Sequence, residues 1–212
     1  MKRIGFAVVA ALMVAGSIVS AQQPQRPLSP AGSATAMVGG EWVKNERGNM
    51  VYQGGKWIEI TYSRPMLRQR ENIFGAGAEY GKGVLAGAPV WRVGANQSTR
   101  INTEVPLVFN GGKTLPAGSY SVYVDLKENA WELIFSNWPA QEKYDPNNKE
   151  ALWGAYGYTA DKDALRVPMT LSKNAVRVEQ LSIMFGDVTK DAGKIAILWD
   201  NTVAMVPFTV GK

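Results

Sequence analysis

The residues richest in chemistry lie together at Pro89-Val-Trp-Arg-Val-Gly-Ala-Asn-Gln-Ser-Thr99. This stretch brings together an indole, a guanidinium, a helix-breaking glycine and a run of amides and hydroxyls. Arg92 offers a planar fork of donors that suits a carboxylate or a phosphate. Asn96 and Thr99 offer groups that orient the hydroxyls of a sugar or a peptide group. Arg64, at the end of an earlier strand, is the natural companion of Arg92. Trp91 and Trp153 add aromatic faces. The candidate ligand-binding set is therefore Arg64, Trp91, Arg92, Asn96, Thr99 and Trp153. A plainer reading stands beside it. Trp91 is then a core residue, Arg92 caps a carbonyl or carboxylate, and Asn96 holds a turn through its amide.

Three other groupings carry chemistry. Trp138, Tyr144, Trp153, Tyr156 and Tyr158 crowd one long connection. Exposed indoles present flat apolar faces to sugars, although such residues also close the end of a core. Trp138 is the one expected at the surface. Asp161 with Asp163, and Asp187 with Asp191, have spacings that a cation or a carboxylate pair would use. Both pairs fall in turns, where Asp usually bonds nearby backbone, and neither matches a calcium loop. Ser172 and Lys173 are adjacent on a strand, which points them to opposite sides and argues against a Ser-Lys hydrolase. No catalytic residue, metal or cofactor is assigned.

The chain has no Cys and no His. That excludes the usual zinc sites, disulfides, Cys nucleophiles and a Ser-His-Asp arrangement. The glycines at 75, 77, 81, 83 and 87 form no phosphate-binding Gly-x-x-x-x-Gly-Lys-Ser/Thr pattern.

The elements that must position these residues are strands. Lys56–Tyr62 alternates Ile58, Ile60 and Tyr62 against Trp57, Glu59 and Thr61. Ser119–Leu126, Trp131–Phe135, Leu165–Ser172, Val178–Phe185 and Lys194–Trp199 read the same way. Asp200-Asn201 reads as a turn that brings Thr202–Val210 back on the preceding strand. Gly54-Gly55 and Gly111-Gly112 read as hairpin turns. About nine or ten short strands and two long loops, residues 66–90 and 136–159, predict an all-β, single antiparallel β-sandwich or jelly-roll-like domain.

The 212 residues suit one such domain, with enough apolar content to build a core without staples. Residues 1–21 read as a signal peptide: Lys2-Arg3, an apolar run from Ile4 to Val14, and small residues Val19 and Ala21 before Gln22. The run is too short for a membrane span. Residues 22–40 read as a flexible Pro/Gln/Ser-rich leader, and residues 41–212 as the β domain. Removing Lys2 and Arg3 lowers the formal charge from +5 to +3, too little and too scattered for a nucleic-acid partner.

Tyr62-Ser-Arg-Pro65, Ile73-Phe-Gly75, Tyr80-Gly81, Val90-Trp-Arg92, Gly94-Ala-Asn96, Thr99, Leu115-Pro-Ala-Gly118, Trp153-Gly154 and Leu165-Arg-Val167 occur in this order. In this the chain resembles the secreted bacterial domain-of-unknown-function family 2911, from about Trp57 to Val210. The resemblance implies export, a periplasmic or extracellular location, and an all-β domain. It implies no activity. Lys82–Pro89 departs from the family pattern as an insertion, beside the Pro89–Thr99 stretch.

The function expected is a non-catalytic ligand-binding or accessory domain of the cell envelope. Its partner would be a carbohydrate, a peptide or another envelope component, with no nucleic acid and no membrane span after signal cleavage. A carboxylate-based envelope hydrolase and a structural interaction domain are the alternatives.

Overall fold

The computed structural model describes residues 27–211. The expected signal peptide and the Gln22–Arg26 part of the leader lie outside them. Twelve strands run through the described chain. They are β1 (Ala31–Val38), β2 (Glu41–Lys44), β3 (Met50–Gln53), β4 (Lys56–Ser63), β5 (Thr99–Thr103) and β6 (Leu107–Phe109). They continue with β7 (Lys113–Leu115), β8 (Gly118–Lys127), β9 (Ala130–Ser136), β10 (Asp163–Pro168), β11 (Thr170–Gly186) and β12 (Ala192–Val210). A six-stranded sheet has the order β1-β4-β5-β8-β9-β10, and a four-stranded sheet has β11-β12-β6-β7. Strands β2 and β3 form a separate hairpin, and every ladder is antiparallel. The all-β sandwich expected from the alternation holds. No helix among the described residues is long and apolar enough to cross a membrane.

The period of two selects the core. Ile58, Ile60 and Tyr62 of β4, Val122 and Val124 of β8, and Trp131, Leu133 and Phe135 of β9 point inward. They meet Leu181 and Ile183 of β11 and Ile195, Ile197, Val206 and Phe208 of β12. The Tyr62 hydroxyl accepts from Ile183 N at 2.9 Å and donates to Ile183 O at 3.3 Å, which ties one sheet to the other. Phe74, Trp91, Trp131 and Trp199 form an aromatic box at one end of the core. Trp91 lies parallel to Trp199, with centroids 6.1 Å apart and planes 8° apart.

Four details differ from the sequence reading. Ala31–Val38, placed in the flexible leader, is the edge strand β1, paired with β4 along its whole length. Small residues hid it: Ala34 and Ala36 alternate toward the core with Val38, but alanine carries little β signal. Gly54-Gly55 connects the hairpin to β4 instead of closing a hairpin, because β3 pairs with β2. Leu165–Ser172 is two strands in two sheets. Pro168 cannot donate to a ladder, and the chain crosses at Met169, which is buried and donates to Trp131 O at 2.9 Å.

The last difference shapes the candidate site. Asp200-Asn201 is not a hairpin turn. The chain runs on as one 19-residue strand, and Thr202–Met205 pairs with Thr170–Lys173. Asp200 takes φ 53, and the ladder slips on either side of the Val178↔Asp200 pair. The tolerance of Asp for positive φ, which favours a turn, here makes a bulge.

A smaller core lies on the outer face of the six-stranded sheet. Tyr123 and Ile134 point away from the sandwich and are covered by Ala88, Val90, Leu152, Ala155 and Tyr158 from the two long loops. The loops are thereby fixed to the sheet.

Candidate functional site

The Pro89–Thr99 stretch is held by its own polar groups. Trp91 exchanges backbone hydrogen bonds with Val124 and is 1 % exposed, so its indole faces the core. Val93 and Asn96 both take positive φ. Thr99, fully buried, donates its hydroxyl to Val93 O at 3.0 Å and closes the loop. Ser98 donates to Gly154 O at 2.6 Å, which binds this loop to the aromatic one.

Arg92 lies across that junction. It donates to Asn96 O at 3.2 Å and to the Tyr156 hydroxyl at 3.4 Å, and its guanidinium sits 5.1 Å from the Tyr156 ring centre. Gly154 makes room for it: a Cβ at that position would lie 2.5 Å from Arg92 Nη1. Asn96 serves through its carbonyl, while its side chain is exposed. Trp153 packs against Tyr144, with centroids 5.7 Å apart. Arg92, Asn96 and the Trp153-Gly154 segment thus come together. Arg64 is committed elsewhere: it donates to Leu181 O and to the Ser182 hydroxyl of β11, each at 3.4 Å. Arg64 and Arg92 share no hydrogen-bond partner.

Tyr144 and Tyr156 are the exposed rings of the aromatic loop. Trp138, expected at the surface, is partly buried against the outer core; its indole donates to Thr159 O at 3.1 Å, and the Lys162 ammonium lies 3.7 Å above its ring. The loop is folded around Gln141, which is 6 % exposed. The Gln141 amide donates to Asp145 O, Asn148 O and Ala151 O and accepts from Asp145 N. Asp163 accepts from Tyr158 and Arg166, and Asp187 pairs with Lys194 at 2.5 Å. Among the described residues no three carboxylates gather as a metal site would require.

A cleft of about 780 Å³ lies where β12 breaks. The Glu71–Tyr80 segment, the Glu128-Asn129 turn, the Leu171–Lys173 start of β11 and Asp200–Thr202 surround it. Asp200 is its fixed point. Its carboxylate accepts from Arg177 Nε at 2.7 Å and from Ile73 N at 3.2 Å. Burial alone would push this carboxyl up; the Arg177 hydrogen bond and the Ile73 amide outweigh that and hold it below the usual range. Asp200 is therefore a standing anion at neutral pH.

Phe74 and Tyr80 line the same cleft. Tyr80 accepts from the Trp131 indole at 2.7 Å, and burial pushes its hydroxyl upward in pKa. Glu128 accepts from Gly77 N at 3.0 Å, which ties the glycine-rich segment to the β8–β9 turn. Lys173, Asn129 and Asn201 complete a lining in which acceptors, donors and ring surface alternate.

Sequence reasoning missed this cleft. Glu71, Glu128, Arg177 and Asp200 are scattered over 130 positions, and their types carry no motif. Ile73-Phe-Gly75, Tyr80-Gly81, Ser172-Lys173 and Asp200-Asn201 stand out in the sequence, but only as separate motifs, a strand pair and a turn.

The family model described as "Protein of unknown function (DUF2911)" matches residues 46–208, which span every residue of this cleft. No curated protein and no solved structure matches the chain. On the strength of that match, the chain belongs to the DUF2911 family.

Proposed function

We propose that this protein is a non-catalytic, exported binding domain of the cell envelope, and that the cleft at the β12 break takes a carbohydrate. The lining of that cleft is the observation that carries the reading. Glu71 and Glu128 offer acceptors, Lys173 and Arg177 offer donors, Asn129 and Asn201 offer both, and the half-buried Tyr80 offers ring surface. A sugar hydroxyl donates and accepts at once, and a pyranose ring has an apolar face, so this mixture complements it. A phosphate or a free carboxylate would meet Asp200 and the two glutamates, which oppose it. The location rests on the signal-peptide features at Met1–Ala21 and on the family resemblance.

A thermal-shift screen of the chain from Gln22 against glycans and short peptides tests the reading. Glycans are expected to raise Tm, and Lys173→Ala and Asn129→Ala are expected to lose the shift. Both residues are exposed and make no side-chain hydrogen bond to the described residues; Asn129 has φ 66, so its alanine variant carries about 1 kcal/mol of backbone strain, and circular dichroism checks that it is folded. A shift with peptides alone, or a glycan shift unchanged in both variants, refutes the assignment. Hydrolysis of a bound glycan, lost in Glu128→Gln while binding persists, converts the protein into a carboxylate-based hydrolase.

A further inference from the structure

The outer face of the six-stranded sheet carries a groove that shares no residue with the cleft at the β12 break. Two depressions, of about 460 and 310 Å³, meet there, and Thr61 and Arg100 line both. The ladders set Ser33, Thr61, Arg100 and Ser121 opposite one another on β1, β4, β5 and β8. Alternation turns all four away from the core. At about 4.8 Å between strands, the row spans about 14 Å. Asn102 and Ser119 pair in the next row, where Ser119 donates to Asn102 Oδ1 at 2.8 Å. Asn137–Ala140 walls one depression, and Gln97-Ser98 borders the other.

An ion pair stands where the two depressions meet. Arg100 donates through Nη1 to Glu142 Oε1, with side chains 40 % and 78 % exposed. The Arg100 hydrogen bond holds the Glu142 carboxyl below the usual carboxylate range, so the pair is charged at neutral pH. Among the described residues this is the one hydrogen bond of the guanidinium, so the rest of its fork is open. The Glu142 backbone is held separately, because Gln97 Nε2 donates to its carbonyl at 2.6 Å. The carboxylate can therefore leave Arg100 while the loop stays in place.

A carboxylate that meets the fork with both oxygens makes two parallel bonds where Glu142 makes one. It competes against an exposed pair that solvent screens. Around Arg100 the groove is polar: Ser33, Thr61 and Asn137 line it and make no side-chain hydrogen bond to the described residues. Hydroxyls and amides donate and accept, as sugar hydroxyls require. An extended peptide would need pockets for its alternate side chains, and short polar side chains make none here. Glu59, exposed and diagonal to Arg100, opposes a carboxylate placed elsewhere in the groove, so the acidic group has one position.

We infer that this groove binds an acidic glycan, a uronic-acid oligosaccharide, whose carboxylate takes Arg100 from Glu142 while its hydroxyls pair with Ser33, Thr61 and Asn137. Glu142 is then a built-in competitor that the ligand displaces. The site is separate from the cleft at the β12 break, where Asp200 and two glutamates oppose a carboxylate.

Isothermal titration calorimetry of the chain from Gln22, with an oligogalacturonate and with its methyl ester, tests this. The ester keeps the rings and the other hydroxyls and loses the charge. The acid is expected to bind roughly tenfold or more tighter than the ester, and less tightly as salt rises. Arg100→Gln should lose that preference, and Arg100→Lys, which keeps the charge without the fork, should retain part of it. Glu142→Gln should tighten acid binding by roughly two- to fivefold, the weight of an exposed ion pair. Circular dichroism checks that each variant is folded. An acid that does not bind, equal binding of acid and ester, or a preference unchanged in Arg100→Gln overturns the inference. So does acid binding that is constant or weaker in Glu142→Gln, or matched by a polyglutamate peptide. Acid binding lost in Lys173→Ala and kept in Arg100→Gln puts the ligand in the β12 cleft and overturns it as well.

Discussion

Arg177 Nε lies 2.7 Å from Oδ1 of Asp200, and the other oxygen of that carboxylate accepts the Ile73 amide at 3.2 Å. One buried anion therefore joins three chain segments: the bulge of β11, the break in β12 and the loop that carries Phe74. The positive φ of Asp200 aims the carboxylate at both partners.

Asp200→Asn is expected to lower stability by roughly 1–2 kcal/mol, since Arg177 is partly solvated and part of the charge pairing is screened. For a domain of this size that is a fall in Tm of about 2–8 °C. The pH dependence has a definite sign. Asp200 titrates lower in the folded chain than in the unfolded one. Its contribution is present above the unfolded carboxyl value of about 3.9 and is lost as pH falls through the folded value. Thermal melts from pH 6 down to pH 2 should therefore show a shallower acid loss in Asp200→Asn; parallel curves would remove the ion pair from the account.

Tyr158 donates to Asp163 at 2.7 Å and accepts from Arg166 at 2.8 Å. Burial first, and the Asp163 carboxylate second, hold its hydroxyl well above the ordinary value of 10.0. A raised folded value means that its contribution is intact below about pH 10 and is lost as pH rises through the folded value. Spectrophotometric titration at alkaline pH should show one tyrosinate fewer in Tyr158→Phe only after the fold has opened. A tyrosinate removed by that substitution near pH 10, in the folded protein, would contradict the geometry.

Gly154→Ala and Gly157→Ala form a matched pair. Both glycines have positive φ, so both substitutions pay about 1 kcal/mol of backbone strain. A Cβ at Gly157 meets nothing closer than 3.6 Å, whereas at Gly154 it strikes Arg92 and the Asn96 carbonyl. Gly154→Ala should be the more destabilising by roughly a further 1–2 kcal/mol. Urea denaturation of the two variants measures the difference, and equal midpoints would mean that Arg92 moves aside freely.

Gln141→Ala removes one amide that serves three carbonyls and one backbone N–H. The global cost is expected at about 1–3 kcal/mol, with the effect concentrated in residues 142–151. Limited trypsinolysis at Lys143 and Lys149 should accelerate while the sandwich core stays protected. Unchanged cleavage would show that Arg100–Glu142 and Gln97–Glu142 alone suffice to hold the loop.

The strands were legible where side chains alternate in polarity. Tyr62, Val122 and Leu133 each have a neighbour of the opposite kind, and a half-buried sheet is the physical meaning of that pattern. β1 was illegible because Ala34 and Ala36 report burial weakly. The Pro89–Thr99 stretch was legible as a special segment but not by role. An Arg beside an Asn reads alike whether it meets a ligand or, as Arg92 does, the Asn96 carbonyl and Tyr156. The Arg177–Asp200 cleft left no local trace, because its residues meet only after β11 and β12 slip register.

By itself the sequence determined the class of fold, the absence of thiol and imidazole chemistry, and membership of a family. These depend on composition and on short-range periodicity, which each segment carries alone. Tertiary structure decided which polar residues face one another. Leu165–Ser172 divides between two sheets, and Asp200 becomes a bulge because the ladder with β11 outweighs its preference for a turn. Register is a property of two strands together, and neither strand encodes it alone.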